Sequence, residues 1–407
     1  MPLNLDSVIQ QIGALATDLR LHSNHRMQQI RQAMDILVNT DGQTINQRRA
    51  AGRFAWSIPE LPVNLASAFS AIQPPTDYQA LSTDGSHIDV DRHLAARCAL
   101  INISKVMLQY GSKPEAHLGS TPILYADNSL SIPIQGEARD RPLDTPLVGV
   151  KRSVDEVVAL AELAEETEAL PKEDKHKYAP TIALMDGSLV LWGPAHQQYP
   201  DQVRHTLIEG GLIPALDRLK RIADERPLAL AAYVSLPRNA GVADALRLAV
   251  CPFPIADCRT NCGHLSDNHR PCDTIGGLLD RDIFGWLLRP GERSALFANT
   301  SPIVEQYYGA HRVYFFYLNT GDEIARVEVP SWVADNEHLT SLTHSLILDQ
   351  CRKGMGYPVA IMEAHEQAVI NGHDRELFRR MIEEALEDNR LPVYTSQKAR
   401  SKHIRWL

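Results

Sequence analysis

The chain contains no run of about 18 apolar residues, so no helix of membrane-spanning length is expected. Its start, MPLNLDSVIQQIGALATDL, lacks a basic stretch and a small-residue cleavage site, which argues against a secretory signal and for a cytoplasmic protein. Positive charge is in deficit. With 41 Lys and Arg against 50 Asp and Glu, the net charge of −9 excludes a protein that coats polyanions through bulk charge. Six cysteines in 407 residues make no disulfide framework. There is no internal repeat of solenoid period and no low-complexity segment. A G-x-x-x-x-G-K-[ST] phosphate loop is missing, so any nucleotide-driven movement would need a separate protein. The G-x-S-x-G elbow is missing too, which disfavours an esterase. What remains is an ordinary globular composition, 44% hydrophobic and 22% charged, long enough for one large or two medium domains.

Residues 1–75 read as helical. VIQQIGALATDLRL and MQQIRQAMDILVNT carry apolar residues at three- and four-residue spacing, and the Pro74–Pro75 pair marks a boundary. Beyond it, YQALSTDGSHIDVD and ARCALINISKVMLQYG read as long strands that could pair. SVDEVVALAELAEETEAL is an amphipathic helix, TIALMDGSLVLW a buried strand, DQVRHTLIEGGLIPALDRLKRIADE a helix and LALAAYVSL a strand. NAGVADALRLAV is helical, VYFFYLNT and ARVEVP form a hairpin, and HLTSLTHSLILDQCRKG and DRELFRRMIEEALED are helices flanking a short strand, PVAIME. Strands first in a run, then alternating with helices, imply an α/β fold: a mixed sheet flanked by helices over 76–407, preceded by a helical extension over 1–75.

Asp-Gly-Ser occurs twice, at Asp84–Ser86 and Asp186–Ser188, each time after an apolar strand-like run. An aspartate among buried residues costs free energy unless its charge is compensated. A divalent cation is one such compensation, since Mg²⁺ and Mn²⁺ favour carboxylate oxygen and need only one or two protein carboxylates each. The competing reading is an Asp-Gly turn. A third carboxylate is expected from the helix between the motifs, which offers Asp155, Glu156 and Glu162, with Arg152 four residues before Glu156. A second cluster, Cys251, Cys258, Cys262 and Cys272 with His264 and His269, offers ligands for a structural Zn²⁺ in an insertion near 251–272. Its spacings are not the paired C-x₂-C of zinc ribbons, and buried free thiols are the alternative. Basic groups that could line a phosphate groove are Arg48, Arg49 and Arg53, then Arg218, Lys220 and Arg221, and the tail Lys398, Arg400, Lys402 and Arg405.

The two Asp-Gly-Ser strands, the Arg152–Glu156 helix and the late segment GYPVAIMEAHEQAVI together resemble the NurA nucleases over roughly residues 78–380. The resemblance implies a ribonuclease-H-like core related to the PIWI domain. It implies a Mn²⁺- or Mg²⁺-dependent nuclease acting on single- and double-stranded DNA, with 5′-to-3′ exonuclease activity. It also implies a homodimer working with the hexameric ATPase HerA in DNA end resection. By motif, Asp84 and Asp186 match the family's catalytic aspartates, Glu156 the acid between them, His365 its histidine and Tyr357 its tyrosine. Asp84, Glu156, Asp186 and His365 would then be the metal-binding set. Eight extended residues span about 26 Å, too far for Tyr357 and His365 to reach one centre. The strand would have to end near Met362 with a turn or helix beginning around His365, or Tyr357 would act elsewhere along the substrate.

Overall fold

A computed structural model describes residues 4–89, 96–126, 131–132, 141–142, 144–169, 179–193, 199, 201–265 and 269–392. The chain gathers into two compact units. Met1–Ala71, Val234–Ser301 and Tyr314–Val327 form the first; Ile72–Tyr233, Pro302–Val313 and Glu328–Leu407 form the second. No helix among the described residues is long and apolar enough to cross a membrane.

The first unit begins with a single helix, Leu5–Asn39, where the periodicity suggests two. Neither Gly nor Pro separates the two apolar runs, so nothing interrupts the ladder between them. Asn4 caps its start by accepting the Ser7 N–H at 3.2 Å. The second half buries Ile30, Ala33 and Leu37, at three- and four-residue spacing, against Val242, Leu246 and Phe284. In the first half Leu5, Ile9, Ile12 and Leu19 are exposed. The helix Gly241–Ala249 and the hairpin of Val313–Asn319 with Ile324–Pro330 fall where the sequence puts them.

The second unit is built on five sheet positions. Tyr78–Thr83 and Gly85–Ile88 form one run that pairs antiparallel with Cys98–Tyr110 in a single register, Ser82 facing Val106 and Gly85 facing Ile103. Cys98–Tyr110 pairs antiparallel with Glu115–Ala126. On the other side Thr181–Asp186 runs parallel to Tyr78–Thr83, and Leu228–Val234 parallel to Thr181–Asp186. A parallel neighbour requires a crossover, and helices supply both: Thr145–Ala169 and the helical run 201–225. An antiparallel meander of three, followed across helices by two strands parallel to its first, is a ribonuclease-H-like α/β arrangement.

Alternation along Cys98–Tyr110 shows how the sheet is covered. Asn102 and Ser104 donate to the Ala368 and Ala364 carbonyls, at 3.0 and 2.7 Å, on one face. Ile101 and Ile103 are buried with Val157 and Leu160 on the other. The helix Thr145–Ala169 is held from behind by the 201–225 run. A Cβ on Gly211 would lie 2.7 Å from Val154, so glycine is what lets the two approach. Arg218 closes the contact on Glu165 at 2.6 Å.

Three sequence expectations are corrected here. The segment 1–75 is not helical throughout: the helices end at Ala51, and Ala68–Ser70 is a strand paired with Glu292–Ser294. PVAIME is not a strand: Val359–Ala368 is a helix, whose Ala360 N–H is accepted by the buried Gln350 side chain at 3.0 Å. A short apolar run does not itself distinguish strand from helix. TIALMDGSLVLW is a strand only to Asp186. Gly187 then turns at φ +82°, a conformation that favours glycine, and the Glu328 carboxylate accepts from Ser188 Oγ and the Leu189 N–H at 2.7 and 3.0 Å.

Leu160 lies fully buried between sheet and helices. Leu160→Ala should cost about 2–5 kcal/mol in urea unfolding, the usual range for truncating a packed leucine. A loss under about 1 kcal/mol would show that this face of the helix does not carry the core.

Candidate active site

The parallel ladder pairs Gln79 with Thr181 and runs to Thr83 beside Met185. Carried one residue further, that register sets Asp84 beside Asp186 at the ends of adjacent strands. Neighbouring strands lie roughly 4.8 Å apart, so two like charges are held side by side by backbone geometry.

Glu156 comes to the pair from the helix Thr145–Ala169. The Thr83 hydroxyl donates to its carbonyl at 2.8 Å, tying helix to strand. Gly85 lets its side chain in: a Cβ there would sit 2.7 Å from Glu156 Oε1. The glycines of the two Asp-Gly-Ser motifs therefore serve different ends, close packing at Gly85 and a positive φ at Gly187. The serines also differ. Ser86 donates to the Ala368 carbonyl, while Ser188 is bound to Glu328 and accepts from the Trp192 indole at 3.1 Å.

Burial pushes the Glu156 carboxyl up to about 8, and the charges of Asp84 and Asp186 push the same way. Arg152 opposes them, with Nε 3.1 Å from Glu156 Oε1. That separation is short, but its angle is too poor for a hydrogen bond, and both atoms are buried without a hydrogen-bond partner. We read the contact as charge proximity, which leaves an acceptor oxygen facing the two aspartates without a donor.

The late segment supplies the remaining groups. His365 Nδ1 lies 2.9 Å from Asp84 Oδ2, and the Tyr357 hydroxyl donates to Asp186 Oδ1 at 2.8 Å. Because Val359–Ala368 is helical, the eight residue steps from Tyr357 to His365 rise only about 12 Å instead of about 26 Å, and the two side chains reach neighbouring carboxylates. The sequence-predicted Asp84, Glu156, Asp186, His365 and Tyr357 are thus gathered at one end of the sheet. Tyr233 packs edge-on against Tyr357, ring centres 5.3 Å apart, and fixes its ring. An open cleft of about 450 Å³ runs past Asp84, Glu156 and Asp186, with Arg152 and Trp192 in its wall.

Sequence reasoning missed Ser104, Glu328 and Trp192. Ser104 accepts the Asp84 N–H at 3.1 Å and donates to the Ala364 carbonyl at 2.7 Å, joining the Asp84 strand to the His365 helix. Glu328 carried a usable signal, a carboxylate inside the buried alternation of ARVEVP.

Among the described residues no three His, Cys, Asp or Glu side chains converge closely enough to hold one metal ion. Mg²⁺ or Mn²⁺ needs only one or two carboxylates, with water completing the shell. The three carboxylates and the donorless Glu156 Oε1 therefore still suit such ions. Cys251, Cys258, Cys262 and Cys272 are free thiols that do not meet at a zinc-sized point. Several of the basic residues are engaged within the chain. Arg48 donates to the carbonyls of Ala249, Cys251 and Phe253, Arg218 and Arg221 pair with Glu165, and Lys220 pairs with Asp224. The basic tail beyond residue 392 lies outside the described residues.

The sheet order and the carboxylates at its strand ends define a ribonuclease-H-like protein with an acidic site. The NurA domain family matches residues 78–370, most of the chain, and the protein belongs to that nuclease family. No curated protein matches. Among solved structures, the crystal structure of LC9-RNase H1, a type 1 RNase H with the type 2 active-site motif, is 9% identical. It aligns over 44% of this chain and 72% of that one at a TM-score of 0.21, a likeness too slight to argue from.

The raised Glu156 carboxyl has a signed consequence. Its folded value lies above its ordinary 4.5, so its contribution to stability is full below about 4.5 and is lost as pH rises towards about 8. Without divalent metal, Glu156→Gln should therefore gain melting temperature relative to wild type as pH is raised through that window. A difference independent of pH would mean that Glu156 is ionised throughout.

Proposed function

We propose that this chain is a divalent-metal-dependent deoxyribonuclease whose site is Asp84, Glu156, Asp186, His365 and Tyr357. The observation that carries the reading is the in-register Asp84–Asp186 pair with the buried Glu156 beside it, in a chain of a nuclease family. Asp84, Glu156 and Asp186, with His365 at their edge, would hold Mn²⁺ or Mg²⁺. Bound there, the ions would lower the pKa of an attacking water and stabilise the leaving 3′ oxygen.

The chain's own groups do the rest. Glu156 must give up its proton to serve as a ligand, so metal affinity should tighten as pH rises towards about 8. Tyr357 holds Asp186 in one orientation through its hydroxyl. His365 contacts Asp84 through Nδ1 and is 61% exposed, leaving Nε2 to protonate the leaving oxygen or hold the scissile phosphate. Arg152, in the cleft wall, offsets part of the acidic charge as a phosphate backbone enters. The substrates in this reading are single- and double-stranded DNA, cut by single-strand endonuclease and 5′-to-3′ exonuclease action during end resection or repair in the cytoplasm. The protein would act as a homodimer with a HerA-type hexameric ATPase, which fits the missing phosphate loop. Residues 76–407 would be the nuclease domain, with the segment 1–75, helical over Leu5–Asn39 and Gly42–Ala51, and the cysteine-bearing insertion near 251–272 added to it.

The test is cleavage of labelled single- and double-stranded DNA with Mn²⁺, with and without the partner ATPase. Asp84→Asn and Asp186→Asn should reduce cutting to background. Tyr357→Phe, which keeps the ring and removes only the donor to Asp186, should slow it by about 10–100-fold, as expected for an outer-shell partner of a metal ligand. Full activity in Asp186→Asn would overturn the site assignment. No cutting by wild type even with the ATPase would favour a catalytically inactive DNA-binding scaffold. Cleavage should also rise between pH 6 and about 8, in step with loss of the Glu156 proton.

A further inference from the structure

Metal binding by the acids leaves the apolar wall of the cleft without a task. Leu189, Leu191, Leu212 and Trp192 belong to that wall. Trp192 packs partly on the core of the second unit and stays half-buried. Its ring is held from two sides. The indole Nε1 donates to Ser188 Oγ at 3.1 Å. Ser188 is itself fixed, donating to Glu328 at 2.7 Å and accepting the Val190 N–H at 3.1 Å. Directly after the ring comes Gly193, where a Cβ would lie 2.7 Å from Val150 Cγ2, so the backbone is pressed against the helix that carries Glu156. Trp192 is thus anchored both to the segment that follows Asp186 and to the Glu156 helix.

An indole has a single donor to satisfy, and Ser188 satisfies it. What the ring still offers the cleft is flat apolar surface, beside Asp84, Glu156 and Asp186. The same cleft is walled by Arg152, whose Nε has no hydrogen-bond partner and whose contact with Glu156 is charge proximity. A ligand that uses all three features has a flat apolar body and an anionic group, which describes a nucleotide. The cleft volume of about 450 Å³ is in the range that takes one small ligand. In a duplex each base is paired and stacked, out of reach of a side chain until it leaves the helix. An unpaired base presents its face at once.

Resting on the nuclease reading of the acids, we propose that Trp192 is a stacking platform for an unpaired base, so that the cleft seats single-stranded DNA or a frayed end in preference to paired DNA. The base lies against the indole, and the phosphate of the same nucleotide is directed to Arg152 and the acidic centre. Every base has a π-face, so stacking of this kind is tolerant of sequence. The selection is therefore for the state of the strand and not for its bases. A ring fixed in advance at both ends loses little freedom when a base settles on it, which favours binding.

The test is the affinity of the full chain for a fluorescent single-stranded oligonucleotide, with Ca²⁺ in place of Mn²⁺, and for a strand of equal length built of abasic sites. Wild type should prefer the intact strand. Trp192→Ala should bind the intact strand about 5–150-fold more weakly, the usual loss for removing one stacking ring, and should bind the abasic strand as wild type does. That unchanged abasic binding also shows that the variant is folded. Trp192→Phe, which keeps a ring, should fall between the two. Undiminished binding of the intact strand by Trp192→Ala, or an equal loss on both strands, would overturn the proposal, the latter because it marks a purely structural ring. So would a wild type that binds neither strand. Cleavage with Mn²⁺ is scored separately. Cutting without a preference for the intact strand would remove the platform and leave the nuclease; a Trp192-dependent preference without cutting would do the reverse.

Discussion

The second unit is organised around one constraint: two parallel strands in register, with an aspartate at the corresponding position of each. Hydrogen bonding fixes their register, and the register fixes two carboxylates beside each other. The guanidinium in the cleft wall, Arg152, is turned to Glu156 with poor alignment. The surroundings add a third acid, which is buried, and lift its pKa. An arrangement that gathers acids is unfavourable for folding on its own terms and favourable for binding a hard cation, which is the balance expected where function has shaped a site.

Most of the packing nearby serves to hold that pair. Gly85 clears space for Glu156, and Gly211 lets a second helix press the Glu156 helix onto the sheet. Ser104 links the Asp84 strand to the helix that carries His365. Glu328 binds the chain just after Asp186, so that strand ends where it does. Tyr357 and His365 then approach from one late segment, each taking one aspartate. The site is thus assembled from four stretches of chain separated in sequence, held by glycine contacts and buried hydroxyls more than by ion pairs.

The identical Asp-Gly-Ser tripeptides show how little a motif says about its own role. In the first, Asp84 stays within a strand whose register continues unbroken on both sides; in the second, Asp186 closes a strand and the chain turns away. The arginines tell a similar story. Arg48, Arg218 and Arg221 look from sequence like a basic surface, yet in the fold they bind carbonyls and a glutamate within their own units.

By itself the sequence determined the α/β class, the pairing of its first long strands, the longest helices and the two aspartates. Each of these rests on local periodicity or on a residue type out of place in a buried strand. It left the third acid open among Asp155, Glu156 and Glu162, because neighbours on one helix differ only in direction, and direction is set by what the helix packs on. It gave PVAIME the wrong structure, because the group that caps that helix, Gln350, belongs to another element. It could place Tyr357 and His365 at one site only conditionally, since their reach depended on that same helix. Only the tertiary structure decided these points, because each depends on contacts between residues distant in the chain, about which local pattern carries no information.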